Sequence, residues 1–214
     1  KINPYIDLLI TSEEANADKP DIRPFSLALE KMSLKNDEVL MVGNNPKTDI
    51  AGAKNAKIDS VLFDFYNKYP NFPEKKITHF NDVLDILGIS GQAYSSKALV
   101  IFDLIGTITT DPHLIRSTLS TILENQGISF TYQDVKDLYE KYKVGAISDN
   151  EFWNGIGIPE EEHRTYEDLL IDNIELRPHV IEVIQNIHDS NHTAILSNIP
   201  SQWGNRITEK FELN

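Results

Sequence analysis

Hydrophobic positions along this chain follow two rhythms. Five short runs are continuously apolar: Ile6–Ile10, Val39–Gly43, Ser60–Phe63, Ala98–Asp103 and Thr193–Ser197. Unbroken apolarity over so short a run predicts strands covered by helices on both faces of a parallel sheet. Between the runs the period lengthens. Arg23–Met32 sets Phe25, Leu27, Ala28, Leu29 and Met32 on one helical face, and Pro178–Asp189 places Val180, Ile181, Ile184 and Ile187 at helical spacing. Asp49–Asn55 reads as a short alanine-bearing helix. Strand alternating with helix predicts an α/β fold, a Rossmann-like, doubly wound parallel sheet.

One segment departs from that alternation. From His113 to Asp172 no strand pattern occurs, while "HLIRSTLSTILENQG" and "TYQDVKDLYEKYK" are amphipathic at helical period. An all-helical insertion between two strands predicts a cap over the carboxyl edge of the sheet, where open α/β sheets bind ligands. "ISGQAYSS", Ile89–Ser96, is small and polar and reads as a linker. "GIGIP" at Gly155 has the spacing of a nucleotide-binding loop but lacks a preceding strand, so it is expected to be an ordinary loop.

Composition narrows the function classes. The net charge of −13 argues against nucleic acid and anionic membrane as partners, because phosphate backbones require clustered Lys and Arg. The chain has no cysteine, which removes disulfides, thiol nucleophiles and zinc–thiolate sites. No apolar run approaches the roughly 20 residues of a membrane span, and neither end reads as a signal peptide. The expectation is a soluble, cytoplasmic protein acting on a small molecule, with its oligomeric state open.

The strand ends carry the chemistry. Asp103 ends one strand, Ser197-Asn198 another, and Asn44, Asn45 and Asp49 follow a third; Lys19-Pro20 lies downstream of a fourth. In a parallel sheet these ends share one edge, so residues far apart in sequence converge. Asp103 would attack as a carboxylate nucleophile. Ser197 and the backbone amides after Asp103 would bind anionic oxygens, while Lys19 would neutralise developing charge.

The stretches "VIFDLIGTI", "AILSN", "KPDIRPFSLALEKM" and "VLMVGNNPKTDIAGAKNA" resemble the four motifs of the haloacid dehalogenase (HAD) superfamily of capped hydrolases. The resemblance implies an aspartyl intermediate on Asp103, with Lys19, Ser197 and Thr107 in the catalytic machinery. It further implies that Asn198 and Gly106 contact substrate. A Mg²⁺ ion would be held by Asp103, the Ile105 carbonyl, Asn44 and Asp49. Residues 1–90 would then carry the third and fourth motifs, 91–112 the linker and nucleophile strand, 113–172 the cap, and 173–214 the second motif.

The motifs run in an unfamiliar order: third, fourth, first, cap, second. Two explanations compete, a piece of two tandem domains or one circularly permuted domain, and the permuted domain is favoured: each motif occurs once, and Asn214 read into Lys1 gives a continuous helix, turn, strand, loop and Lys-Pro. The permuted domain predicts a single sheet ordered Ser60–Phe63, Val39–Gly43, Ala98–Asp103, Thr193–Ser197, Ile6–Ile10, with Asn214 beside Lys1.

Two positions depart from the family's pattern. Ile105 stands where phosphatase members carry a second Asp that protonates the leaving group, a loss worth a factor of about 10² to 10⁴. Asn44 stands where an Asp commonly binds the metal, and an amide oxygen brings no charge to Mg²⁺. Three readings follow. One is an atypical phosphatase of a small phosphorylated metabolite. Another is a metal-free, dehalogenase-like hydrolase, for which a leaving halide needs no proton. The third is a scaffold without turnover. In the cap, His113, Lys141, Lys143 and Trp153 could reach the pocket, against the plainer roles of surface cations, a capping histidine and a core tryptophan.

Overall fold

The computed structural model describes residues 5–89 and 97–213. Six strands, β1 (Leu8–Thr11), β2 (Val39–Gly43), β3 (Asp59–Phe63), β4 (Lys76–Ile77), β5 (Leu99–Phe102) and β6 (His192–Ser197), form one sheet in the order β1-β6-β5-β2-β3-β4. Every pairing is parallel. One row of the register runs Leu8, Ala194, Ile101, Met41, Ser60 across five strands. This is the order expected for the five sequence-predicted strands, and all motif-bearing strands lie in one sheet.

Period-two alternation within these strands feeds two separate cores. Leu99, Ile101, Met41 and Ala194 face α1 (Arg23–Met32) and α2 (Ala51–Asn55), packing against Phe25, Ala28 and Ala53. Val100, Phe102, Val42 and Ile195 face the other way, towards α3 (Asp82–Leu87) and α8 (Val180–His188), whose Val83, Leu87, Val183 and Ile184 are buried. Both faces are covered, which is why the strands are apolar at every position.

The segment between Asp111 and Asn173 holds only helices and turns: α4 (Ser120–Asn125), α5 (Tyr132–Tyr142), α6 (Asp149–Ile156) and α7 (His163–Asp172), with a π-type turn at Ile115–Leu119. Its two ends meet in a short stem. Thr109 bridges Leu176, the Thr110 N–H donates to the Glu175 carbonyl at 2.9 Å, and the Arg177 N–H to the Ile108 carbonyl at 2.9 Å. The helical layer is also fastened to α9 (Ser201–Lys210). Trp203 of α9 enters an aromatic cluster with Tyr139, Tyr142, Phe152 and Trp153, at centroid separations of 5.6, 5.6, 5.7 and 6.0 Å. Beside it, Arg206 pairs with the buried Glu167 of α7 at 2.9 Å.

Several boundaries differ from the sequence reading. β1 begins at Leu8 rather than Ile6, because the Asp7 carboxylate takes the Thr193 N–H at 2.9 Å. Ile6 instead donates its N–H to the Leu213 carbonyl at 2.9 Å. β4 went unnoticed, since two residues carry no period. The helix expected from Asp49 starts at Ala51, after a wide turn over Pro46–Ile50. The expected loop at Gly155 is the last turn of α6, because Ser148 caps that helix and Gly157, at φ 91°, ends it. Residues 90–96 of the linker, Lys1 and Asn214 lie outside the described residues.

Candidate active site

The carboxyl ends of four strands build one charged floor. Asp103 follows β5, and its Oδ1 accepts a hydrogen bond from Lys19 Nζ at 2.8 Å. The same ammonium lies 2.8 Å from Asp49 Oδ1 and donates to the Leu196 carbonyl at 2.7 Å. Three donors thus meet three acceptors, so a lysine only 2 % exposed is fully satisfied. The approach to Lys19 is fixed from β6: Asn198 Oδ1 accepts the Lys19 N–H at 2.8 Å, and Asn198 Nδ2 donates to the Lys19 carbonyl at 3.1 Å.

Local sequence explains how the carboxylates arrive. Gly43 ends β2, and a Cβ there would stand 2.4 Å from the Asp49 Cβ, so only glycine lets the wide turn fold Asp49 back against the strand. Asp49 Oδ2 then accepts the Asn45 N–H at 2.9 Å. Gly106 takes φ 81°, which reverses the chain after Asp103. The reversal returns the Thr107 hydroxyl to Asp103 Oδ2 at 3.3 Å. Arg177 locks that loop from behind, donating to the Thr107 carbonyl at 3.1 Å and the Gly106 carbonyl at 2.8 Å.

Burial pushes the Asp103 carboxyl up to about 6; Lys19 opposes the rise, the Asp49 charge adds to it, and the Thr107 hydroxyl opposes it slightly. Burial works against the charge on Lys19, yet the two carboxylates outweigh it and its pKa is raised. The group most open to change near neutrality is therefore the candidate nucleophile.

Above the floor lies a cavity of about 290 Å³. Lys19, Asp49, Asp103, Ile105, Asn44, Ser197 and Asn198 line it from the sheet side. Ser197 is 2 % exposed and its hydroxyl has no partner among the described residues, so a buried donor faces the cavity unmatched. Two predicted residues do not line this cavity. Thr107 is wholly buried and holds Asp103, and the Gly106 N–H donates to Thr109 Oγ1 at 3.0 Å. Asn198 lines the cavity, but both ends of its side-chain amide hold the Lys19 backbone. From the helical layer, His113 and Lys143 reach the cavity. Lys141 is exposed away from it, and Trp153 is a core residue donating its indole N–H to Asp149 at 3.0 Å. Arg116, Tyr132, Lys136 and Tyr139 also line it, and the sequence reading passed over all of them. For Tyr132, Lys136 and Tyr139 the signal was the helical spacing of α5, which continues into its C-cap Lys143; Arg116 lies in the turn at Ile115–Leu119 and left none. Arg177 left no such signal.

The donor set does not fit a Mg²⁺ ion as arranged. Hard cations of this size need about six oxygens in near-octahedral array. Here both oxygens of Asp49 and Oδ1 of Asp103 are engaged, and the Ile105 carbonyl receives the Asn44 amide N–H at 3.1 Å. The Lys19 ammonium already lies between the two carboxylates. Among the described residues no group of three or more His, Cys, Asp or Glu is placed to hold a metal.

The family model described as haloacid dehalogenase-like hydrolase matches residues 1–63, which carry Lys19, Asn44 and Asp49. Over those residues the chain is similar to the haloacid dehalogenase-like hydrolases. It is 42% identical over 60 residues to a ribulose-1,5-bisphosphate 5-phosphatase of Halopiger xanaduensis, covering 28% of this chain and 25% of that protein. A glyceraldehyde 3-phosphate phosphatase of Methanothermobacter thermautotrophicus is 41% identical over 61 residues, 28% of this chain and 27% of its own. The pyrophosphatase PpaX of Halalkalibacterium halodurans is 24% identical over 96 residues, 42% of this chain and 44% of its own. The matched stretch thus spans about a quarter of the first two relatives.

Proposed function

We propose that the protein is a hydrolase of small phosphorylated molecules that works through an aspartyl-phosphate on Asp103. The observation that carries this reading is the floor itself: a nucleophile-grade carboxylate and a fully tethered lysine beside a buried, unmatched Ser197 hydroxyl. The three relatives named above, all phosphatases or pyrophosphatases, support it.

In the first step Asp103 Oδ2, held only by the long Thr107 bond, attacks phosphorus. The bond from phosphorus to the leaving oxygen breaks, its electron pair stays on that oxygen, and solvent supplies the proton that Ile105 cannot. Lys19 and the Ser197 hydroxyl stabilise the charge on the phosphoryl oxygens. Water then attacks the aspartyl-phosphate, phosphate departs and the carboxylate returns. No step is routed through a metal, because the donors do not fit one.

A second reading is favoured by Ile105 together with the engaged metal donors: attack of Asp103 on a 2-haloacid, where halide leaves without a proton. A panel of phosphoesters and 2-haloacids, assayed with Mg²⁺ and with EDTA, separates the two. Phosphate release that survives EDTA is expected; halide release instead would replace the first reading with the second, and silence throughout would favour a scaffold without turnover. We also infer one rearranged domain rather than two incomplete ones, supported by the single sheet and by the Ile6–Leu213 hydrogen bond.

A further inference from the structure

The helical layer also lines the cavity, and it brings cations of its own. Four cationic side chains line the cavity, Lys19, Arg116, Lys136 and Lys143, against the three carboxylates of Asp49, Asp103 and Glu140. Two of the cations are neutralised in place. Lys19 is held by Asp49 and Asp103 at 2.8 Å each, and Lys143 lies 2.6 Å from Glu140 and 2.7 Å from Asp18. Among the described residues, Arg116 and Lys136 form no ion pair. Other cations such as Lys47, Lys57, Lys75 and Lys141 also form no ion pair among the described residues, but Arg116 and Lys136 are the two that line this cavity.

Their placement is built rather than incidental. Lys136 lies one turn from Tyr132 and one from Tyr139 and Glu140 on α5, a stripe that faces the cavity at helical spacing. Lys136 is half-buried, which restricts its long side chain more than free solvent would. The Arg116 guanidinium stands over the Tyr132 ring, 6.0 Å from its centroid, which leaves its in-plane N–H groups available for an anion.

We propose that Arg116 and Lys136 form a subsite for a second anionic group, so that the preferred substrate carries a carboxylate or second phosphate at the end opposite the phosphoryl group being removed. This rests on the phosphatase reading above and deepens it. The floor takes the phosphoryl group; the two cap-side cations take the distal anion and orient the molecule along the cavity. Glu140 on the same wall is taken by Lys143, so a substrate of that kind would supply the counter-ion that Arg116 and Lys136 lack.

The test compares matched molecules and reads a ratio. For turnover, phosphoglycerate is set against glycerol phosphate, and ribose bisphosphate against ribose phosphate. For binding without turnover, calorimetry compares phosphonoacetate with ethylphosphonate. The wild type should prefer the doubly anionic partner of each pair. Arg116→Gln and Lys136→Gln should each lower that preference about tenfold, the effect of losing one charged hydrogen bond, and Lys136→Arg should keep most of it. Equal affinity for phosphonoacetate and ethylphosphonate in the wild type, or an unchanged preference in both glutamine variants, would overturn the subsite. If no phosphoester is hydrolysed yet phosphonoacetate binding still depends on Arg116 and Lys136, the phosphatase reading falls and the anion subsite stands.

Discussion

The floor and the wall of the one cavity are made in opposite ways. On the floor every charge has a partner: Lys19 holds Asp49 and Asp103, and the backbone on either side of Lys19 is clamped by Asn198. On the wall Arg116 and Lys136 have no counter-ion among the described residues. A fully paired cluster is rigid and defines a reacting geometry before any ligand arrives, as electrostatic catalysis requires. Cations without a counter-ion keep their hydrogen-bonding capacity for a ligand. The contrast separates what this protein does to a substrate from which substrate it takes, and each half can be broken independently.

The largest effect is expected from Asp103→Asn, which replaces the proposed attacking carboxylate with an amide. Phosphate release should fall by at least about 10³-fold, with the fold intact by circular dichroism. Retained activity would remove Asp103 from the mechanism.

Lys19→Met should come next. It deletes the charge that faces the reacting oxygens, at a cost in kcat of roughly 10² to 10³. It also leaves two buried carboxylates facing each other, which should lower stability by about 3–5 kcal/mol in denaturant titration. The pH profile supplies a sharper reading. In the proposed mechanism the active form of Asp103 is the carboxylate, so wild-type kcat/KM should rise with pH through an acid limb near 6. Lys19 holds that value down against burial and Asp49, so its loss should move the limb to higher pH. A limb that stays in place would mean that another group controls it.

How much of this arrangement could be read in the sequence follows the same division. The floor was legible because its residues follow strands in a parallel sheet, and strand ends converge by topology alone; Asp103, Lys19, Asp49 and Ser197 needed no packing detail. What went unseen depends on how elements meet. Arg177 holds the nucleophile loop from a position about 70 residues away, through hydrogen bonds to carbonyls that no pattern announces. Asn198 was expected to touch substrate, but its amide pairs with the Lys19 backbone because the loop after β1 passes over the end of β6. Lys143 and Lys136 share one face of α5, yet only the packing reveals that Lys143 is neutralised by Asp18 and Glu140 while Lys136 is not. Pairing, not position, distinguishes them.

Ser197→Ala tests whether the floor is complete without a ligand. A buried hydroxyl with no partner contributes no net hydrogen bond to the folded state, so its removal should change stability by less than about 0.5 kcal/mol. Its loss should be felt only when an anionic oxygen occupies the cavity, as about a tenfold fall in kcat/KM. Destabilisation beyond about 1 kcal/mol with unchanged kinetics would make Ser197 a structural residue.

The smallest effect, and the one that decides between the two chemistries, is expected from Ile105→Asp. Ile105 lines the cavity beside Asp103, and its carbonyl already receives the Asn44 amide, so a change of side chain leaves that backbone contact in place. A carboxyl here could protonate a leaving alkoxide. A well-placed general acid is worth a factor of about 10² to 10⁴, but this one would share its surroundings with Asp103 and Asp49 and no group is arranged to orient it. A gain of about two- to tenfold is therefore the expectation, a small part of the full effect. It should grow with the pKa of the leaving alcohol and vanish for nitrophenyl phosphate, whose leaving group needs no proton. For displacement of halide from a 2-haloacid the sign reverses. The new carboxylate would repel the carboxylate of the substrate while assisting no bond cleavage, and turnover should drop. One substitution thus raises one activity and lowers the other, and a rate independent of leaving-group pKa would show that proton supply does not limit this site.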